Sequence, residues 1–465
     1  MGVYAEYRKK LTTPEEAVKV VKSGDWVDYS NNLTMPVLLD RALAKRKDDL
    51  HDVFIRGNLL PGPIEAAEAD PEQEHFIYNT WHCSANDRKL LSRGLAYFSP
   101  MTFRNLPAYY RKFVDVDVAF MAVPPMDSHG YFSFSVSSGV AGAILEKAKV
   151  IVLEINEHLP RITGSAENCI HISDVDMVVE GEHKPFAPRK KETPSGEDVA
   201  IAKNIFPFIK NGATLQLGIG NTPDTLGSLI AESDIRDLGM HTELCADGYL
   251  DLFNAGKLTG RYKKVLPGKC VGALFAGSEE LMDWVDDNPF VIGCPISFVN
   301  DPAVVSEIDD MISINSCIAV DLYGQVSSES AGLRQISGTG GQLDFLEGAS
   351  GSPGGISFIC MHSTFTDKEG RRHSNIVPHF NGDIVTCPRS MTYYIVTEYG
   401  AECLVGMASW QRAEKLISLA HPDFRDELIA AAEKQGIWRR SNRRSREGPD
   451  AEIKNCHPAG RQFFY

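Results

Sequence analysis

SGDWVDYSNNLTMPVLLDRAL, residues 23–43, and NGATLQLGIGNTPDTLGSLIA, residues 211–231, carry the reading of this fold. They begin 188 residues apart (211 minus 23), and each follows a helix-like stretch. Each then passes through a Gly, a short strand-like run and a polar elbow into a second helix-like stretch. At the same offset Asp49-Leu50 falls on Asp237-Leu238, and a strand-like run follows both pairs. Few residues coincide, yet the order of elements does. The pattern predicts two related open α/β domains; two unrelated α/β units are the alternative.

Around the two copies the chain keeps alternating. Thr13-Pro14-Glu15-Glu16 opens an amphipathic helix that Ser23-Gly24 stops. Short apolar runs at residues 26–30, 116–123, 150–155, 214–218, 290–292 and 316–321 read as strands. Helical segments lie between many of them, the pattern of a largely parallel sheet. EHKPFAPRKKETPSGED, residues 182–198, is proline-rich with a basic cluster and reads as the linker. The expected domains are therefore residues 1–190 and 191–465. The basic tail WRRSNRRSREGPD, residues 438–450, reads as a solvated terminus.

Bulk properties remove several function classes. At 465 residues, 43% hydrophobic and 23% charged, the chain can bury sizeable cores without staples. A net charge of −15 argues against non-specific nucleic-acid binding, which requires a positive face. The ten cysteines include no C-x-x-C pair and read as reduced thiols. No apolar run reaches the length of a membrane span, and the first ten residues are polar, so a soluble cytoplasmic protein is expected.

Three segments can carry chemistry. In LQLGIGNTPDTLGSLI, residues 215–230, a strand runs into Gly218-Ile219-Gly220, and Asn221-Thr222-Pro223 starts a helix. Such a turn lets backbone approach a phosphate or oxyanion at the helix N-terminus; taken alone it reads more readily as an ordinary tight turn. Pro223 stands where a dinucleotide fingerprint has its third Gly, which argues against a nicotinamide dehydrogenase. In GMHTELCADGYLDLFNAG, residues 239–256, Glu243 lies in a strand-like run, and the repeat aligns it with Ile55. A carboxylate in a sheet covered on both faces belongs at a strand's carboxyl end, in a ligand crevice or partly exposed, or it is costly. His241, two residues earlier, reads as structural. GTGGQLDFLEGASGSPGG, residues 338–355, reads either as a backbone-lined anion nest or as a loop. No nucleophile elbow, H-E-x-x-H or zinc-spaced Cys/His cluster occurs.

GIGNTPDTLGSLI, GMHTELCADGYLDL and SGTGGQLDFLEGA, in this order and spacing, resemble the acetyl-CoA hydrolase/transferase family. Within it they are most similar to the butyryl-CoA:acetate and 4-hydroxybutyrate CoA-transferases, along essentially the whole chain. The resemblance implies the CoA-transferase fold, with the active site in the cleft between its two α/β domains. It implies CoA transfer from a short-chain acyl-CoA, butyryl-CoA foremost, to acetate, through a glutamyl-CoA thioester on Glu243. Gly218, Ile219, Gly220, Asn221 and Thr222 would bind CoA, with further contacts from Ile318, Gly341 and Lys368. The Gly340 and Gly341 amides would stabilise an oxyanion. CoA would be a substrate, with no permanently bound cofactor and no metal, and the assembly a homodimer or larger homo-oligomer. Arg334 and Arg389 could add positive charge, and residues 126–138 could line the acyl pocket. An acyl-CoA hydrolase using the same glutamate, or a non-catalytic CoA-binding protein, are the alternatives.

Overall fold

The computed structural model describes residues 2–165, 167–185, 193–218 and 220–442. The expected boundary at residues 190–191 and the tail from residue 443 lie outside the described residues.

Eight strands form a first sheet: β1 (Leu11–Thr12), β2 (Trp26–Asn31), β3 (Val53–Asn58), β4 (Phe76–Thr80), β5 (Ala96–Phe98), β6 (Val118–Val123), β7 (Val150–Ile155) and β8 (Met177–Val179). Their order is β1-β8-β7-β6-β2-β3-β4-β5, and every pairing is parallel. A parallel sheet is covered on both faces, which is why β6, Val-Ala-Phe-Met-Ala-Val, is buried at every residue.

Eight more form a second sheet: β9 (Thr214–Leu217), β10 (Gly239–Cys245), β11 (Cys270–Phe275), β12 (Val291–Gly293), β13 (Met311–Ser316), β14 (Ile356–Cys360), β15 (Tyr394–Thr397) and β16 (Gly400–Cys403). Their order is β12-β11-β10-β9-β13-β14-β15-β16. Only the last pairing, β15 with β16, is antiparallel.

Read from its β5 edge, the first sheet matches the second over seven strands; the eighth differs, since β1 opens its half and runs parallel whereas β16 closes its half and runs antiparallel. β2 corresponds to β9, and β3 to β10. Trp26 and Thr214, which open β2 and β9, are 188 residues apart (214 minus 26), the offset of the sequence repeat. The repeat is therefore one of topology, preserved after most side chains have diverged.

One strand expectation is corrected. Residues 316–321 are not one strand: Ser316 ends β13, and Ala319–Asp321 belongs to a separate three-stranded sheet with Val326–Ser327 and Ile376–Val377. Ser313 and Asn315 break the apolar run of β13, so its body does not read as a buried strand. Both are accommodated by Gln216 on neighbouring β9: Ser313 Oγ and Asn315 Nδ2 donate to its Oε1 at 2.6 and 3.0 Å.

The two sheets share a core. Trp81, Phe103 and Phe134 from the first half pack in one cluster with Leu274, Ile296 and Phe345 from the second. Each such side chain contributes about 1.5–3 kcal/mol on burial. Polar ties cross the same seam: Asn32 Nδ2 donates to the Phe275 carbonyl at 3.2 Å, and Arg104 pairs with Asp344 at 3.3 Å. A cleft lined from both halves is thereby held in fixed geometry.

Candidate active site

In an open parallel sheet, ligands bind beyond the carboxyl ends of the strands where the strand order reverses. In the second sheet that point lies between β9 and β13, with β10 on the other side of β9. A cavity of about 290 Å³ opens there. Gln216 and Gly218 border it from β9, Glu243 from β10, Leu274 from β11, and Asn315 from β13. Leu59 and His82 close it from the first half of the chain.

Glu243 is half-buried, two residues before Cys245 at the carboxyl end of its strand. Asn300 Nδ2 donates to its Oε2 at 2.6 Å, and Gly341 lies close beside the carboxylate. Burial pushes the Glu243 carboxyl up to about 7, against the pull of Asn300 and Gly341 and with a further push from the Asp344 charge. Burial likewise raises Asp344 to about 7, opposed by Arg104. A carboxylate surrounded this way is weakly solvated and more reactive than one in water.

The loop over Glu243 explains its glycines. A Cβ at Gly341 would lie 1.9 Å from Asn300 Nδ2 and 2.2 Å from Glu243 Oε2, so no side chain fits and the loop can lie against the carboxylate. His82 is beneath the same loop, its Nε2 3.0 Å from Ser337 Oγ. Burial lowers the His82 imidazole to about 4, which keeps it neutral near pH 7. His241 is structural, as expected: fully buried, it donates from Nε2 to the Val299 carbonyl at 2.8 Å. That bond fixes the backbone beside Asn300.

The structure brings Gly218, Glu243, Ile318 and Gly341 together around the cavity. Gly220, with φ at +133°, makes the elbow into the helix Asn221–Ala231, a conformation that favours glycine. Asn221 and Thr222 form the first turn of that helix and do not border the cavity. The Thr222 hydroxyl is committed, donating to Asp198 Oδ1 at 2.8 Å. Ile219 lies outside the described residues. Lys368 is on an exposed turn between strands Thr364–Thr366 and Arg372–Ser374, away from the cavity lining, and Arg334 and Arg389 are exposed. Residues 126–138 do not border the cavity either; Asp127 there accepts the amides of His129 and Tyr131, both at 2.8 Å.

Sequence reading missed Asn300, His82 and Leu59. None sits in a motif, and each reaches the site only through the tertiary fold. Among the described residues no cluster of three His, Cys, Asp or Glu could hold a metal, and no helix is long and apolar enough to cross a membrane.

Removing the buried charge should stabilise the fold. The folded-state value of Glu243, about 7, is above its ordinary value of 4.5, so the native state binds the proton more tightly and loses stability as pH rises between the two. Glu243→Gln is therefore expected to raise stability by about 1–3 kcal/mol at pH 8 and to change it little at pH 4.5. Denaturant melts at the two pH values check this; an equal effect at both would contradict the buried-charge account.

Comparison with known proteins follows the same lines. Residues 1–188 match the acetyl-CoA hydrolase/transferase N-terminal domain, and residues 277–432 the C-terminal domain. The chain is 50% identical over 446 residues to the butyryl-CoA:acetate CoA-transferase of Anaerostipes caccae, covering 95% of this chain and 100% of that one. It is 38% identical to the 4-hydroxybutyrate coenzyme A transferase of Clostridium kluyveri, over 91% of this chain and 97% of that one. The crystal structure of RipA from Yersinia pestis superposes with a TM-score of 0.87 at 34% identity, covering 94% of this chain and 100% of that one.

Proposed function

The chain belongs to the acetyl-CoA hydrolase/transferase family, and from that premise we propose that it transfers CoA from a short-chain acyl-CoA such as butyryl-CoA to acetate through a thioester on Glu243. The observation that carries this reading is the Glu243 carboxylate at the strand-order reversal, held by Asn300 beneath Gly341 at the edge of a largely apolar cavity.

The chemistry is a sequence of acyl transfers that needs no ATP, because the thioester is already activated. Glu243 attacks the acyl-CoA carbonyl with the oxygen that Asn300 does not hold. The C–S bond breaks, giving a mixed anhydride and CoA thiolate. The thiolate then attacks Cδ of Glu243, the anhydride C–O bond breaks, and free butyrate leaves behind a glutamyl-CoA thioester. Acetate attacks the same carbon, and the steps run in reverse to release acetyl-CoA and restore the carboxylate.

Each attack on Cδ places negative charge on Oε2, the atom that Asn300 Nδ2 already meets at 2.6 Å. A preorganised donor at a developing oxyanion is worth about 2.7–4 kcal/mol. Leu59, Leu244, Leu274 and Phe345 give the cavity an apolar wall that limits water around anhydride and thioester. Gly218, Gly220 and Ile318 are the residues we assign to CoA, with Asn221 and Thr222 acting through the helix they start; Lys368, on its exposed turn, is assigned to the CoA phosphates. The free state of all nine described cysteines supports a reducing, cytoplasmic setting. Family resemblance supports a homo-oligomer.

The test is product analysis. Butyryl-CoA with acetate should give stoichiometric acetyl-CoA and butyrate, and without acetate no free CoA should accumulate. Steady CoA release without acetate would make the protein a hydrolase. Because attack requires the ionised form of Glu243, kcat/KM for butyryl-CoA should rise with pH through about 7 and then level off. A profile flat from pH 5 to 8 would contradict the raised carboxyl.

A further inference from the structure

The reaction attacks two different carbonyl carbons, and Asn300 accounts for only one of them. Its Nδ2 meets Oε2 of Glu243 and serves attack on Cδ. Attack by Glu243 on the acyl-CoA carbonyl puts charge on another oxygen, that of the acyl group, where a second preorganised donor is needed.

Most polar side chains bordering the cavity are already engaged. Gln216 Nε2 donates to Asn315 Oδ1 at 3.2 Å, and Asn315 Nδ2 donates back to Gln216 Oε1 at 3.0 Å. Ser337 Oγ is 3.0 Å from His82 Nε2, and Thr339 Oγ1 donates to Glu329 Oε2 at 3.3 Å. His82 Nδ1 faces the loop backbone, 2.9 Å from where a Cβ on Gly338 would lie. Ser316 is exposed at the end of β13. Ser328 and Gln342 are left. Both border the cavity, and Ser328 Oγ and Gln342 Nε2 are buried with no hydrogen-bonding partner among the described residues. The Ile318 amide donates to the Ser327 carbonyl at 2.8 Å, which sets Ser328 beside Ile318 on the side assigned to CoA. Gln342 is on the side of the nucleophile.

Its place in the chain suits the acyl oxygen. Gln342 directly follows Gly340 and Gly341, which lie against both oxygens of Glu243. A Cβ on Gly341 would be 2.2 Å from Oε2, and one on Gly340 would be 3.5 Å from Oε1, the oxygen that attacks. Gln342 also opens the helix Gln342–Gly351, so the positive end of that helix meets the cavity at the same point. The residue is only 7% exposed. A buried NH2 without an acceptor is costly, and a substrate oxygen removes that cost. The terminal torsion of a glutamine is broad, so the group turns toward an incoming oxygen without changing the rest of its rotamer.

We propose that Gln342 is a catalytic residue whose Nε2 donates to the acyl carbonyl oxygen, while Asn300 serves the glutamyl carbonyl. The assignment rests on the transferase reading above. In the first adduct Oε1 of Glu243 bonds to the acyl carbon, and the C=O electron pair moves onto the oxygen that Gln342 holds. The pair returns as the C–S bond breaks and CoA leaves as thiolate. With acetate as acceptor, the same donor acts on the acetyl oxygen when the thiolate attacks the anhydride to give acetyl-CoA. Gln342 keeps its protons throughout.

Gln342→Leu removes the donor at similar size, and Gln342→Ala is a second variant should leucine disturb the packing; thermal melts identify the one that folds as the wild type does. Acetyl-CoA formation should fall by about a hundredfold. The deciding comparison uses the glutamyl-CoA adduct, loaded by prolonged incubation with butyryl-CoA and freed of excess donor. Hydroxylamine attacks Cδ of that adduct and releases CoA, with no acyl carbonyl taking part. Acetate must pass through the anhydride and the acetyl carbonyl. In the Gln342 variants, discharge by acetate should slow by about a hundredfold while discharge by hydroxylamine stays within about threefold of wild type. In Asn300→Ala both should slow. Equal slowing with both nucleophiles, or no slowing with acetate, would overturn the assignment. A folded variant that never loads would overturn it too, since loss of one donor slows loading without stopping it. A wild type that forms no adduct would overturn the Glu243 thioester itself, and this assignment with it.

Discussion

Glu243→Ala is expected to lower acetyl-CoA formation from butyryl-CoA and acetate by about four orders of magnitude or more. The loss is this large because the side chain is the covalent carrier, not an auxiliary base. Without it, acetate would have to attack the thioester directly, in a cavity that offers no second nucleophile positioned at the same point. Glu243→Gln should be as inactive, since the amide keeps the shape and the Asn300 contact but not the nucleophilic charge. Both variants should melt at or above the wild-type temperature near pH 8, because a buried carboxylate has been removed. Steady-state assay of acetyl-CoA by chromatography, with melts on the same preparations, checks this. Activity within tenfold of wild type would remove Glu243 from the mechanism.

Asn300→Ala carries the second-largest expected effect, a loss of about 10²–10³ in kcat with a smaller change in KM. Asn300 Nδ2 meets Oε2 in the resting enzyme at 2.6 Å and is aimed where charge grows when Cδ is attacked. A second readout separates this from simple destabilisation. The Asn300 hydrogen bond pulls the Glu243 value down from where burial alone would put it. Its removal should therefore move the acid limb of the pH profile to higher pH, above about 7. A variant with reduced activity but an unmoved acid limb would show that Asn300 supports the fold and does not act on the carboxylate.

The sheets were the most legible part of the sequence. Parallel strands are covered on both faces, so β6, and β7 apart from Glu154, read as apolar runs. The offset linking Trp26 to Thr214 and Ile55 to Glu243 exposed the duplicated topology. It also marked Glu243 as a carboxylate at a position where the other copy, Ile55, is apolar. The body of β13 was hidden because Ser313 and Asn315 look like loop residues until Gln216 is placed opposite them. Asn300 could not be read as a site residue, because it is 57 positions from Glu243 and has no local pattern. The first helical turn was over-read in one respect: Thr222 spends its hydroxyl on Asp198, a tertiary partner 24 residues upstream.

The most direct measurement of the central claim is intact-protein mass spectrometry after mixing the protein with butyryl-CoA, alongside Glu243→Ala. The account predicts an adduct of CoA mass on the wild type only, mapped to the peptide containing Glu243 and discharged by acetate as acetyl-CoA. Transfer of CoA to acetate with no such adduct, or an adduct that persists in Glu243→Ala, would contradict it.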